Sequence, residues 1–362
     1  MSRITFVLIS SLMAVLLALS SCEHRPLVEL NEIHYVRIYL DEHLRNVNFG
    51  FYDETKEKPE YKTPEVMRVA LFDPSDGSLQ SERYIREVGH DEKGTYIHGY
   101  ISAKPGTYIL VAYNFDTGTL KVRNDRWYTG MEAYTTVVSD NIREKLESAR
   151  SSKDDEEAEE IAQAQEIKEE ILYEPEHFFV NTSEWVNVEL TDKADTLKTA
   201  EGEDFVATSL VKTYYMQVNV KGVEYVTSAS ALITGMAGSV TVYNGEHNRD
   251  NPASIYFTMK NDAVVRRNSD GVATAYANFN TFGKLKDVEG YIYITFQFNT
   301  VWGTVQTETI RVTDMFETPQ VKEQQWIIID KVIEIVPPEE GSGGATSPGV
   351  NDWNEVQGDI TI

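Results

Sequence analysis

Cysteine occurs once in this 362-residue chain, at Cys22, so a single thiol carries whatever sulfur chemistry the protein has. A lone thiol can act as a nucleophile, ligate a metal beside other donors, or accept an acyl chain. The motifs that would support the first two are missing. The seven histidines (24, 34, 43, 90, 98, 177 and 247) form no His-Glu-x-x-His helix, and neither a Gly-x-Ser-x-Gly elbow nor a Gly-x-x-x-x-Gly-Lys phosphate loop occurs. Asp73-Pro74-Ser75-Asp76-Gly77 lacks the Asp/Asn spacing and distal Glu of a calcium loop and reads as a β-turn. The pair Glu339-Glu340 lies in a Gly-, Ser- and Pro-rich stretch that cannot hold two carboxylates at the fixed separation glycoside hydrolysis needs. The chain is therefore expected not to be an enzyme, with no catalytic, cofactor-binding or metal-binding residue and no cofactor.

Cys22 is preceded by Arg3, the apolar run Ile4 to Leu19 and the small residues Ser20 and Ser21. At 1.5 Å per residue, sixteen helical residues span about 24 Å, short of a hydrocarbon core of about 30 Å. A cleaved secretory signal at 1–21 fits better than a membrane span. Leu19-Ser20-Ser21-Cys22 resembles the lipobox of bacterial lipoproteins, in which the thiol is acylated, for example by palmitate, and Cys22 becomes the first mature residue. Each buried methylene contributes about 0.8 kcal/mol, and two or more acyl chains make membrane attachment stable.

About 340 residues remain after such cleavage, enough for two domains of ordinary size. With 58 acidic against 33 basic residues the formal charge is −25, which speaks against nucleic acid and anionic lipid as partners. With Cys22 acylated no disulfide is available, so packing alone must stabilise the fold.

From Ile33 the chain reads as strands separated by turns. Ile33 to Leu40 sets Val36, Ile38 and Leu40 on one face, and Val66 to Phe72 leads through the Asp73–Gly77 turn to a hairpin partner at Leu79 to Val88. Tyr96 to Ile101 precedes Lys104-Pro105-Gly106-Thr107, and the continuously apolar Tyr108 to Tyr113 reads as a central strand. The pattern breaks at 139–173. There Ser152, the acids 154–157 and Ile161, Ala164, Ile167 and Ile171 predict a surface helix of about 18 residues. After the polar stretch 191–204 a second series begins, with Tyr214, Met216, Val218 and Val220 on one face. Tyr225 to Thr234 and Ser239 to Tyr243 flank the small residues 234–238. Further strands are expected at 254–259, 273–279, 291–298, 308–313 and 326–336. The expected organisation is a signal at 1–21, a β-sandwich at 22–198 with a helical insertion at 139–173, a second β-sandwich at 205–336, a linker at 337–349 and a tail strand at 350–362. The twenty tyrosines and five tryptophans are expected mainly to fill the sandwich cores, with a sugar platform as the alternative.

Several segments resemble lipoproteins of the fimbrial-anchor and fimbrillin type found in Bacteroides-like anaerobes. They are Cys22-Glu23-His24 after the lipobox, Val66 to Asp73 with Gly77, Pro105 to Tyr108 before Tyr113-Asn114, Val223 to Gly238, and the closing Trp353 with Ile360 and Ile362. The acidic insertion and the lack of a second cysteine after Cys22 are departures from that family. The resemblance implies two transthyretin-like, Greek-key sandwich domains in series. It also implies a lipid anchor in the outer membrane, a cell-surface location, and a structural or adhesive role in fimbria anchoring with fimbrillin-like partners. The alternative reading is a glycan-binding surface lipoprotein. The tail, through Val356, Ile360 and Ile362, has the form of a strand donor that completes a sheet edge of its own domain or of a neighbour. Asp195-Thr196-Leu197 resembles an O-glycosylation signal of the same anaerobes, at Thr196 between the two expected domains.

Overall fold

The structure, a computed structural model, describes residues 32–41, 62–115, 117–144, 169–189, 195–259, 271–285 and 292–338. In chain order its strands are β1 (Glu32–Leu40), β2 (Met67–Phe72), β3 (Leu79–Ile85), β4 (Glu87–Asp91), β5 (Gly94–Ala103), β6 (Gly106–Asn114), β7 (Leu120–Arg123), β8 (Glu132–Thr135), β9 (Glu170–Tyr173) and β10 (Phe179–Val188). They continue as β11 (Phe205–Ser209), β12 (Lys212–Lys221), β13 (Val226–Ala237), β14 (Ser239–Thr241), β15 (Pro252–Met259), β16 (Val272–Thr281), β17 (Tyr293–Thr300), β18 (Val305–Arg311) and β19 (Trp326–Glu334). The fold is mainly β, as the alternation predicts.

Eight strands form one sheet in the order β3-β2-β6-β10-β11-β1-β5-β4. It folds back on itself, so that Ser81 of β3 bonds the carbonyl of Ser102 in β5, and a Cβ on Gly99 would meet Ile85 at 2.6 Å. Between the two halves lie Val36, Ile38, Val69, Leu71, Ile97, Leu110 and Phe205, all fully buried. The Asp73–Gly77 turn forms as expected: Gly77, at φ +78°, donates to the Asp73 carbonyl at 2.8 Å, and the Asp73 carboxylate accepts the Ser75 N–H at 2.8 Å. β6 is central, between β2 and β10. Its outer face, with Ala70, Phe72 and Phe178, packs under a small sheet β14-β8-β7, so β2 is buried on both sides.

The second sandwich packs the sheet β18-β17-β13-β15-β9 against β16-β12-β19. Tyr214, Met216, Val218 and Val220 share its core as expected, and the Phe257 and Phe279 rings stack across it with centroids 4.4 Å apart.

Three expectations are corrected. The helical insertion 139–173 does not extend to Tyr173: helix occurs at 140–144, but Glu170–Tyr173 is β9, pairing in parallel with β15. Ile171 and Leu172 are buried in different clusters, so both faces of the strand are apolar and no period of two is visible. The remainder of that insertion, 145–168, lies outside the described residues. Phe205–Ser209, expected to open the second domain, is β11 of the first sheet, bonded to β1 and β10; the second series starts at Lys212. Finally, the small residues 234–238 do not interrupt a strand pair. β13 runs through them to Ala237 over a bulge between Ile233 and Met236, which Gly235 permits with φ +73°.

Candidate functional site

The side of the first sandwich that faces away from its core carries a ladder of rings. β1 directs Val36 and Ile38 inward, so by period two Tyr35, Arg37 and Tyr39 lie on the other face. Neighbouring β5 adds Tyr96, His98 and Tyr100, in register with Tyr39, Arg37 and Tyr35. Ring centroids are 5.3 Å apart for Tyr39 and Tyr96, 5.5 Å for Tyr96 and His98, 5.5 Å for His98 and Tyr35, and 5.4 Å for Tyr35 and Tyr100. Arg37 fixes the centre, with its guanidinium carbon 4.6 Å from the Tyr96 centroid and 5.8 Å from those of Tyr35 and Tyr39. It donates to the Tyr39 hydroxyl at 2.8 Å, and that hydroxyl donates to Asp91 at 2.7 Å. The Tyr39 bond holds the Asp91 carboxyl below its usual range. On β4 a Cβ at Gly89 would collide with the Tyr96 ring, so only glycine lets that ring lie across the strand. Such a face offers flat apolar rings beside fixed hydrogen-bonding groups, the equipment for stacking a pyranose ring and gripping its hydroxyls.

The expected core role holds for Tyr113, Tyr214 and Tyr215 but not for the ladder as a whole: Tyr39 is buried, Tyr35 and Tyr96 are half-buried, and Tyr100 is 54% exposed. The signal was present in the sequence as tyrosines of opposite parity to Val36 and Ile38.

A second polar region lies where the two sandwiches meet. Glu169 accepts the Gly235 N–H at 3.1 Å and the Ser254 hydroxyl at 2.7 Å, tying the start of β9 to the second sheet. Glu132 on β8 accepts from Ser239, from Asn248 at 2.9 Å and from Arg123 at 2.7 Å. A cleft of about 200 Å³ is lined by Lys62, Asn114, Glu176, His177 and Asn280 among others. Beside it, burial pushes the Glu174 carboxyl up to about 7 and the His177 imidazole down to about 4.

Of the residues singled out from the sequence, Cys22, Val356, Ile360 and Ile362 lie outside the described residues. Thr196 is described, and it does not sit in a spacer between sandwiches. It forms a parallel bridge with Tyr35: Tyr35 donates to the Asp195 carbonyl at 2.9 Å and Leu197 donates back to the Tyr35 carbonyl at 2.8 Å. Buried Leu197 anchors this segment in the first core, leaving Thr196 half-buried at the margin of the ring ladder. The sheet-terminal strands are β3 and β4 in the first sandwich and β18, β9, β16 and β19 in the second. Among the described residues no helix is long and apolar enough to cross a membrane.

A family profile described as a domain of unknown function, DUF5119, matches residues 21–258. The chain belongs to the DUF5119 family. This DUF5119 protein is 22% identical over 373 residues to a Bacteroides ovatus protein provisionally named fimbrium anchoring subunit Fim4B, covering 94% of each. Among solved structures it is similar to a Bacteroides ovatus protein provisionally described as an adhesin, with 22% identity and a TM-score of 0.51 over 88% of this chain and 98% of that one. It is also similar to the fimbrial anchor protein Mfa2 from Porphyromonas gingivalis, with 13% identity and a TM-score of 0.41 over 82% and 88%. The adhesin match concerns the fold alone.

Proposed function

We propose that this protein is a cell-surface component of fimbriae with a structural or adhesive role, related to anchoring or assembly. The observation that carries the reading is end-to-end similarity to a protein named as a fimbrium anchoring subunit, over 94% of both chains. In this reading the signal at 1–21 is removed and acylated Cys22 holds the protein in the outer membrane. Two sandwich domains of transthyretin type project from that anchor, and the partners are fimbrillin-like subunits. The tail residues Val356, Ile360 and Ile362 pair with a sheet edge, and Thr196 accepts an O-linked sugar at the margin of the ring ladder. The experiment is deletion of the gene, with fimbriae counted and tested for attachment to cells, alongside Cys22→Ala. The deletion is expected to reduce or detach fimbriae, and Cys22→Ala to release the protein from membranes or leave its signal uncleaved. Unchanged fimbriae after deletion refute the assembly role; normal processing and membrane retention of Cys22→Ala refute the anchor.

A second reading, glycan binding at the surface, is favoured by one observation, the Tyr39–Tyr96–His98–Tyr35–Tyr100 ladder around Arg37. On a glycan array it predicts specific binding that Tyr100→Ala and Tyr35→Ala abolish. Silence across the array counts against it.

A further inference from the structure

Five exposed apolar side chains gather at one end of the second sandwich. Tyr225, in the turn before β13, and Trp302, in the β17–β18 hairpin, have ring centroids 4.8 Å apart. Val301 donates its N–H to the Tyr225 carbonyl at 2.8 Å, and Val305 opens β18 opposite Asn299. Val336 joins them through its N–H, which donates to Gln306 Oε1 at 3.2 Å. Tyr225 and Trp302 are each 36% exposed, and Val301, Val305 and Val336 between 54% and 56%. Clustered exposure of this kind marks a surface that associates with something.

The last described residues, which follow β19, lie at the same end. Ile335 donates to the Lys221 carbonyl at 2.8 Å, and Gln306 Nε2 donates to the Glu334 carbonyl at 2.6 Å. The Ile335 carbonyl lies so close to Gly222 that a Cβ there would meet it at 2.7 Å, and the same Cβ would be 3.3 Å from the Tyr225 ring. These contacts pin residues 334–336 beside the patch. After Pro338 come 24 residues, ending in a segment that carries Trp353, Val356, Ile360 and Ile362.

We propose that the patch formed by Tyr225, Val301, Trp302, Val305 and Val336 is the docking surface for the chain's own C-terminal segment, residues 350–362. The eleven residues between, 339–349, are rich in Gly and Ser, and a linker of that composition spans roughly 17 to 20 Å root-mean-square. Tethering at that range gives the segment an effective concentration of about millimolar at its own patch, above that of a neighbouring molecule's tail in dilute solution. The patch offers two aromatic rings and three valines, and the segment supplies a tryptophan, a valine and two isoleucines, so docking removes apolar surface from water on both sides. This goes beyond the strand-donor reading by naming the acceptor surface and making it the tail's own chain, and it holds whichever partners the protein has.

The test is amide hydrogen exchange on the full-length protein in detergent, compared with Val356→Asp/Ile360→Asp in the tail and with Trp302→Ala in the patch. Residues 300–305 are expected to exchange about tenfold faster in the tail variant than in the unaltered protein. Residues 353–362 are expected to lose protection by a similar factor in Trp302→Ala. Unchanged exchange in β13 establishes that each variant is folded. Equal exchange at 300–305 with and without the tail substitutions overturns the proposal. So does protection that grows with protein concentration, which assigns the tail to a neighbouring molecule. Neither result bears on the fimbrial role, which rests on deletion.

Discussion

Arg68 donates to the Tyr113 hydroxyl at 2.8 Å from a position where the arginine side chain is 1% exposed. The two residues are in register on β2 and β6, and the guanidinium carbon lies 5.6 Å from the Tyr113 centroid. Glu82 on β3 takes two more contacts, at 2.7 Å from Nε and 2.6 Å from Nη2, and Asp125 lies 3.5 Å from Nη2. Burial pushes the Tyr113 hydroxyl up to about 12, so it stays a neutral phenol at every pH the protein meets.

Arg68→Ala is expected to destabilise the full chain by about 3 kcal/mol, the lower end of the cost of breaking a buried pair. The lower end applies because Glu82 and Asp125 are 42% and 44% exposed and can rehydrate. Arg68→Met, which refills the volume and leaves mainly Tyr113 without its donor, is expected to cost about 1 to 2 kcal/mol. Urea unfolding midpoints check both; equal losses for the two variants would show that the charge network, not packing, carries the effect.

Glu174 and His177 make opposite contributions to stability against pH. Between about 4.5 and about 7 the folded Glu174 keeps a proton that the unfolded chain has released, so stability falls as pH rises, by about 3 kcal/mol in all. Between about 4 and 6.5 the unfolded His177 binds a proton that the buried imidazole refuses, so stability rises with pH by a similar amount, about 3 kcal/mol. From pH 4.5 to 6.5 the two nearly cancel. Glu174→Gln keeps an acceptor for the Asn280 N–H and removes the falling limb. The variant is expected to gain stability relative to the unaltered protein as pH rises from 4.5 to 7 and to hold a constant advantage above 7. Unfolding measured at stepped pH checks this, and parallel curves for the two proteins would refute the assignment to Glu174.

Much of this fold is legible in the sequence, and the exceptions have physical causes. β1, β6 and β12 are nine or ten residues long, enough for alternation or a continuous apolar run to show. β7, β9 and β14 have three or four residues, too few to carry a period. β10 is longer, but its register shifts between Ser183 and Val186, and Trp185 adopts φ +59°, so its alternation breaks in the middle. That β14 would complete a sheet with β8 and β7 depends on a contact over a hundred residues apart in sequence, which no local pattern encodes. The ring ladder was half visible: Tyr35 and Tyr39 read as one face of β1, but their pairing with Tyr100 and Tyr96 depends on the β1–β5 register.

Glu169 is expected to hold β9 in place. Glu169→Ala leaves the Gly235 N–H and the Ser254 hydroxyl without the carboxylate they bond, at a cost of about 1 to 3 kcal/mol. Because the loss falls at the parallel β9–β15 edge, hydrogen exchange at 170–173 should rise more than exchange in β13. A uniform rise across the second sandwich would instead mean that β9 unfolds only with the whole.

The Phe257–Phe279 stack is the test of the second core. Phe257 comes from β15 of the five-stranded sheet and Phe279 from β16 of the three-stranded sheet, and Tyr214 on β12 stacks on Phe279 from the other side at 5.5 Å. Phe279 therefore bridges both layers and has rings on two faces. Phe279→Ala removes a fully buried ring and leaves a cavity that two sheets held by main-chain ladders cannot easily collapse around, which sets the expected cost at about 3 to 5 kcal/mol. Phe279→Leu fills part of the space and should cost about 1 to 2 kcal/mol. If the two sandwiches unfold independently, the alanine variant shifts the second transition and leaves the first in place. A single transition that moves as one would show that Glu132 and the β14–β8 pairing weld both sandwiches into one cooperative unit.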